Sequence, residues 1–297
     1  MKYLFMTISI LLSAVNACLL KKYAEVNKKD YNPFLFNAGL SFVWVAILFV
    51  LLLISDNKFS LSAIAYGAAY GIILFAFLFF KSQSMAHGPV SLSTLIGSCA
   101  FVIATGFGVI YANETVNTFQ LIGMFMLLVS LIMCVNPKKS GEKLTKKWII
   151  YCLGFFFAGG FVGIIYKLFG KSPASSDVEV MMLTASVVSF LLFLITGIAQ
   201  AKTAEKIKPD KTIFIYMILS GIASCAYIRM NLSLSNIIPS IIFFPVSNGG
   251  MVILSTILGR AIFKEKLNTL QLCGIALGCL AVVTTGCGDF LYGLLFN

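Results

Sequence analysis

Residues that could bind a ligand gather in one apolar segment late in the chain, residues 239–262. Pro245, Ser247 and Asn248 lie close together there, and two glycines follow directly. Proline lacks an N–H, so inside a helix it frees a carbonyl one turn earlier, and lipid cannot satisfy that carbonyl. The segment therefore predicts either a broken helix whose backbone and Asn248 amide bind a solute, or a kinked helix in which Asn248 bonds to a neighbour.

Polar side chains also interrupt other apolar segments. Asn16 and Asn37 carry amides that cost free energy in hydrocarbon unless they face protein or a wet cavity. Ser91 and Thr94 lie at the start of segment 90–111, and because hydroxyls readily bond back to their own helix, packing is favoured over binding for them. The candidate solute-binding residues are Asn16, Asn37, Ser91, Thr94, Arg229, Pro245, Ser247 and Asn248.

Charged and titratable groups offer two further candidates. Arg229 could hold a substrate carboxylate, but it lies near the end of an apolar segment, where a long side chain can also reach the interface. His87, the only histidine, is expected at the interface, with a role as a proton switch as the alternative. All eleven acidic residues fall in connectors or at segment ends, so no buried carboxylate is expected as a proton relay or cation counter-charge.

Catalytic chemistry is not predicted. The eight cysteines lie in or beside apolar segments without metal-ligand spacing, and no glycine-rich phosphate loop is present. With one histidine and no buried acid pair, the sequence lacks the groups that an intramembrane enzyme needs. We therefore expect no enzymatic activity, no metal and no cofactor.

The surrounding elements are those of a membrane protein. The chain is 59% hydrophobic and 11% charged, whereas soluble domains contain about 25% charged residues. The net charge of +11 is distributed between the apolar blocks rather than on one arm, so no nucleic-acid partner is expected. Apolar runs long enough to cross a bilayer predict ten helices, at residues 3–20, 33–54, 61–80, 90–111, 118–135, 148–168, 179–198, 212–231, 239–262 and 268–287.

Two stretches of the sequence repeat. Residues 114–123 and 265–274 share Glu, Asn, Thr, Gln, Leu and Gly at six of ten positions. This predicts a first five-helix repeat at 1–137, a basic connector at 138–147 and a second five-helix repeat at 148–297. Because five is odd, the second repeat must enter the membrane inverted, which is an architecture typical of transporters.

Basic residues predict the orientation. Connectors after odd-numbered predicted helices hold 17 of the 22 lysine and arginine residues. Since such residues favour the cytoplasmic side, both chain termini are expected outside.

Taken together, these features resemble the drug/metabolite transporter superfamily, of the EamA type. The resemblance extends over nearly the whole chain and includes residues 81–91, KSQSMAHGPVS, and residues 263–271, FKEKLNTLQ. It implies a secondary carrier, often an exporter of amino acids, other metabolites or drugs, with a central cavity lined by both halves. Small four-helix relatives carry a proton-coupling glutamate in their first helix, where this chain offers Asn16 instead.

The sequence thus predicts a multi-pass protein of the cell membrane that carries a small metabolite, such as an amino acid, by alternating access. Export and facilitated passage both remain open. A drug or quaternary-amine transporter of the same fold, or a non-transporting membrane partner, is the alternative. Expected partners are the solute and the lipid bilayer. A homodimer is one of two alternatives, since pairs such as Gly67 and Gly71 suit helix contacts either within one chain or between copies.

Overall fold

The computed structural model describes residues 1–26, 32–55, 59–88, 90–134, 145–201, 211–263 and 268–296. Twelve α-helices and no strand lie within these ranges. The helices are α1 (Lys2–Val26), α2 (Pro33–Ile54), α3 (Leu61–His87), α4 (Val90–Ser98), α5 (Phe101–Ala112), α6 (Thr118–Cys134), α7 (Lys146–Gly170), α8 (Val178–Ala201), α9 (Lys211–Ile237), α10 (Ser240–Phe263), α11 (Thr269–Gly286) and α12 (Gly288–Phe296).

The predicted spans correspond to these helices. In the described ranges, nine helical segments are long and apolar enough to cross a membrane, and one of them, Leu92–Tyr111, runs through both α4 and α5. The remaining predicted span is α6, a shorter apolar helix of 17 residues. The chain is therefore an all-α, multi-span membrane protein, as predicted. The short terminal helix α12 was not expected from the sequence.

Local signals fix several helix starts. Asn32 caps α2, accepting hydrogen bonds from the amides of Phe34 and Leu35, and Pro33 occupies the first turn, where no N–H is needed. Thr145 caps α7 in the same way through the Trp148 amide, so this helix begins at Lys146, two residues before the predicted span. Most of the predicted basic connector, 138–144, lies outside the described residues.

Most helix pairs join the first half of the chain to the second. Helix α1 packs against α9 and α10, and its counterpart α7 packs against α3 and α5. Helix α2 packs against α8, and α6 packs against α11. If each helix is replaced by its counterpart in the other half, the same set of helix pairs results. We call the surface along which helices of the two halves meet the seam.

The repeated sequence motif forms the same local structure twice. In each copy an asparagine and a glutamine three residues later bond reciprocally to each other's backbone amides at the start of α6 and α11, as Asn117 with Gln120 and Asn268 with Gln271. Each glutamine also bonds to the other half of the chain: Gln120 donates to Asp289 at the start of α12, just after α11, and Gln271 donates to the carbonyl of Cys134 at the end of α6.

Glycines let these and other helices approach closely. Gly274 and Gly278 of α11 lie against Cys134 and Ser130 of α6, and Ser130 donates to the Gly274 carbonyl at 2.7 Å. Gly67 and Gly71 of α3 lie against the backbone of α8. Both glycine pairs therefore serve contacts within one chain. The expectation of a homodimer stays a prediction.

Candidate functional site

Two polar patches without complete hydrogen bonding lie on the seam. Four side-chain oxygens in the described part of the chain are buried without a hydrogen-bond partner: those of Asn16, Thr105, Ser220 and Ser247. They belong to α1, α5, α9 and α10, so both halves contribute two. An unpartnered buried oxygen costs free energy, and a bound solute or water could supply the missing hydrogen bonds.

The first patch joins α5 to α10. Along α10, Ser240, Phe244 and Ser247 share one helical face, and Ser240 lies against Gly108 of α5. One turn further, Phe244 and Ala104 both contact Gly163 of α7. Because these contacts advance along α10 while they go back along α5, the two helices run antiparallel. Thr105, only 2% exposed, directly follows Ala104 on α5, and Ser247 lies one turn beyond Phe244 on α10.

A break in the fourth span lies near this patch. Between α4 and α5 the amides of Ala100, Val102 and Ile103 donate to carbonyls three residues earlier, which tightens the turn relative to an α-helix. Gly108 is level with Ser240, and Ala104 is level with Phe244. One turn further in the same register, Ser247 is level with this break. The turn itself is buried, since Ala100 and Phe101 are 5% and 2% exposed, and it lies at the same level as the unpartnered Ser247 hydroxyl.

The predicted break at Pro245 is absent, which corrects one of the two sequence-based expectations. Helix α10 runs without interruption from Ser240 to Phe263, with Pro245 buried inside it. Pro245 is only five residues after the first residue of the helix, so it disrupts the hydrogen bonding close to an end. Asn248 donates from its side-chain nitrogen to the Phe244 carbonyl at 2.9 Å, and this amide group is bound to its own helix.

The second patch surrounds Asn16 in the middle of α1. Ser9 donates to Asn231, and Tyr23 meets the ring of Tyr216, so α1 and α9 run antiparallel. Midway between those contacts, Asn16 lies level with Ser224 of α9. Ser224 accepts a hydrogen bond of 2.8 Å from the indole N–H of a tryptophan on α2, Trp44.

The other candidates are not brought together at either patch. Asn37 is half-buried on α2. Thr94 is exposed, and its backbone carbonyl accepts a bond from Ser98. The side chain of Ser91 lies outside the described residues. His87 is exposed at the end of α3, with Nδ1 2.9 Å from the Gln83 carbonyl, which is the interfacial position expected for it.

Arg229 is paired with an acid of the protein itself. Its guanidinium bonds to Glu179 at the start of α8, with Nε 3.2 Å from Oε1 and one terminal nitrogen closer still. The arginine side chain is 44% exposed, whereas Glu179 is 7% exposed. Because an internal carboxylate already neutralises the guanidinium, this geometry argues against the predicted contact between Arg229 and a substrate carboxylate.

A buried ion pair was missed by the sequence reasoning. Glu114, between α5 and α6, accepts a hydrogen bond of 3.0 Å from Lys167 of α7. Their side chains are 16% and 6% exposed, so the pair is largely shielded from water. The expectation that no buried carboxylate serves as a proton relay or cation counter-charge stays a prediction. Glu114 does follow a helix end, as predicted, but the end of the fold that it occupies is covered. The available signal was Lys167 itself, a lysine within the apolar run of α7.

Other carboxylates at helix ends are also engaged. Asp177, only 3% exposed, accepts a bond from the Ser60 amide at the start of α3. Among the described residues, no group of three or more histidine, cysteine or acidic side chains could hold a metal ion. The described polar groups therefore provide neutral hydrogen-bonding patches on the seam and paired charges near its ends.

The helices and their packing define an all-α, multi-span membrane protein. The EamA-like transporter family model matches residues 1–136, almost the same stretch as the predicted first repeat. This match places residues 1–136 in the EamA group of the drug/metabolite transporter superfamily, whose members are transporters.

A solved structure has the same fold as this chain. One crystal structure superposes on the chain with a TM-score of 0.77 at 14% sequence identity, covering 96% of this chain and 98% of that chain. At this identity the likeness shows the fold alone. No curated protein matches the chain.

Proposed function

We propose that this transporter carries a small neutral or zwitterionic metabolite, such as an amino acid or a related solute, across the cytoplasmic membrane. The two halves, taken as an inverted repeat, rock against each other so that the seam opens to alternate sides. The solute leaves the cell by export or crosses down its gradient. The chain itself performs no catalysis.

One observation carries this proposal: the unpartnered oxygens of Asn16, Thr105, Ser220 and Ser247 all lie on seam helices. A purely structural seam would gain free energy by replacing such groups with apolar ones. Retaining four of them is favourable if a polar solute or its water bonds to them during the transport cycle. Two come from each half, as expected for a site between repeats.

Charge supports the choice of solute class. Glu114, Asp177 and Glu179, the buried carboxylates of the described chain, bond respectively to Lys167, Ser60 and Arg229. Glu114 and Glu179 are paired with basic side chains, so neither is left as the sole counter-charge for a cation, and Asp177 directly precedes α8 and does not lie within a span. Neutral hydrogen-bonding oxygens suit hydroxyl, amide or amino-acid groups better than bare cations.

Solute counterflow into proteoliposomes tests the proposal. Purified protein would be loaded with one unlabelled solute from a panel of amino acids, nucleobases, sugars and quaternary amines, and uptake of the labelled solute would be followed. Alternating access predicts transient accumulation above equilibrium for an amino acid or a related metabolite. Counterflow of quaternary amines alone would favour the alternative substrate class, and no counterflow for any solute would contradict the proposal.

A matched pair of serines on α10 locates the site. Ser247→Ala removes an unpartnered hydroxyl, whereas Ser255→Ala removes one that already donates to the Val252 carbonyl at 3.0 Å. We expect Ser247→Ala to raise KM by about threefold to tenfold, the effect of one lost hydrogen bond to the solute. Ser255→Ala should transport like the parent protein. An unchanged KM for Ser247→Ala would remove this hydroxyl from the site.

A further inference from the structure

One carboxylate of the first half bonds only to the second half. Glu114 accepts from Lys167 Nζ at 3.0 Å, from the backbone amide of Ser240 at 2.6 Å and from the Ser240 hydroxyl at 3.1 Å. Lys167 also donates to the Ile238 carbonyl at 3.3 Å, just before α10. We call the end of the seam where these groups meet the Glu114 end.

These contacts are mutually reinforcing and shielded from water. The Lys167 and Glu114 side chains are 6% and 16% exposed, so their charges attract each other in surroundings of low polarity. Ser240 begins α10, where the helix dipole and free amides favour a negative group. Separating the two halves here would break the ion pair and the bonds from Ser240 to Glu114 together, and would transfer both charges to water.

We propose that Glu114, Lys167 and Ser240 form a latch that holds the seam shut at the Glu114 end and opens whenever the seam admits water or solute from that side. The inference rests on the proposed function, because alternating access requires each end of the seam to open in turn. It concerns access rather than transport, and it is therefore testable without a known substrate.

The chain contains a matched control for the latch. Glu179 and Arg229 form a second ion pair near helix ends, but both residues belong to the second half of the chain. Breaking that pair removes a charge interaction of similar chemistry without uncoupling the halves across the seam. Glu179→Gln should therefore not alter access to the seam.

Thiol labelling of a seam position provides the test. Ser247→Cys places a reporter thiol on α10, and a charged, membrane-impermeant methanethiosulfonate is added from the Glu114 side of vesicles in which the protein orientation has been determined. Labelling rates are compared for the parent, Glu114→Gln, Glu114→Gln/Lys167→Met and Glu179→Gln. The same variants without Ser247→Cys give the background from the eight native cysteines.

Both latch variants should label faster than the parent. Glu114→Gln should do so by about tenfold or more, because it leaves Lys167 without its charged partner in the closed seam. The double variant should show a smaller acceleration, because it loses the hydrogen bond between Lys167 and Glu114 across the seam and the one from Lys167 to Ile238, but leaves no unpaired charge. The double variant contains no unpaired charge and decides the matter if Glu114→Gln folds poorly. Labelling of the double variant at the parent rate would overturn the latch, as would equal acceleration in Glu179→Gln, which would indicate general loosening. Absent counterflow with accelerated labelling would reject the proposed function while retaining the latch.

Discussion

The two ends of the seam are held together by different interactions. At the Glu114 end, a buried ion pair and the start of α10 join the halves. At the opposite end, which we call the Tyr23 end, two contacts between the halves in the described part of the chain are neutral: the Trp148 indole donates to Ser93 at 2.9 Å, and the rings of Tyr23 and Tyr216 lie 6.3 Å apart. Opening the Glu114 end separates an ion pair, whereas opening the Tyr23 end separates these two uncharged contacts. The ends should therefore differ in how strongly they resist separation.

The largest effect is expected from Lys167→Met. This change leaves Glu114 buried opposite an apolar side chain, and breaking one partner of a buried ion pair lowers the free energy of unfolding by about 3–5 kcal/mol. Thermal or denaturant unfolding in detergent micelles measures it. Glu114→Gln/Lys167→Met serves as the control and should recover most of the loss, because no unpaired charge remains. Equal stability of the single and double variants would show that the pair is not buried in the membrane protein.

A smaller effect is expected at the Tyr23 end from Trp148→Phe. The phenyl ring keeps most of the packing but lacks the N–H that bonds to Ser93, which is fully buried. Leaving the serine oxygen without this donor lowers the free energy of unfolding by about 1–3 kcal/mol. The same unfolding measurement applies.

Trp44→Phe is the matched comparison for that change, because Trp44 donates an equivalent buried bond to Ser224 in the middle of the seam. Similar losses at both tryptophans would show that the Tyr23 end is held no more tightly than the centre. A loss at Trp148 as large as that of Lys167→Met would contradict the difference between the ends.

The smallest effect is expected from Tyr216→Leu. The ring contact with Tyr23 is tilted, and such aromatic pairs contribute about 0.5–1.5 kcal/mol beyond buried area. Tyr216→Phe keeps the ring and separates its contribution from that of the hydroxyl. If Tyr216→Phe loses as much stability as Tyr216→Leu, the ring contact is not what joins the halves there.

Much of the helical framework could be predicted because its signals are local. Twenty-residue apolar runs marked the spans, and Asn32 with Pro33 marked the start of α2. The repeated Asn-x-x-Gln pattern predicted a structural equivalence, and in both copies it forms reciprocal caps. These features depend on residues within a few positions of one another, so a sequence contains them in full.

The site was harder to predict because its interactions join distant parts of the chain. Glu114 and Lys167 are 53 positions apart, and nothing in either segment indicates the partner. The irregular turn between α4 and α5 lies in the fourth predicted span, whereas Pro245 had predicted a break in the ninth. Near Gly97 and Ser98 the sequence offers weak helix formers without a proline, whereas Pro245 is tolerated close to the start of α10.

Helix α10 connects the ion pair directly to the polar patch. Its first amide bonds to Glu114, and Ser247 lies seven residues along the same continuous helix, about 10 Å away at 1.5 Å per residue. A tilt or rotation of α10 at the ion pair would move Ser247 with it. Movement at the boundary of the membrane would thus reorient a hydroxyl at the centre of the protein, without a separate relay between them.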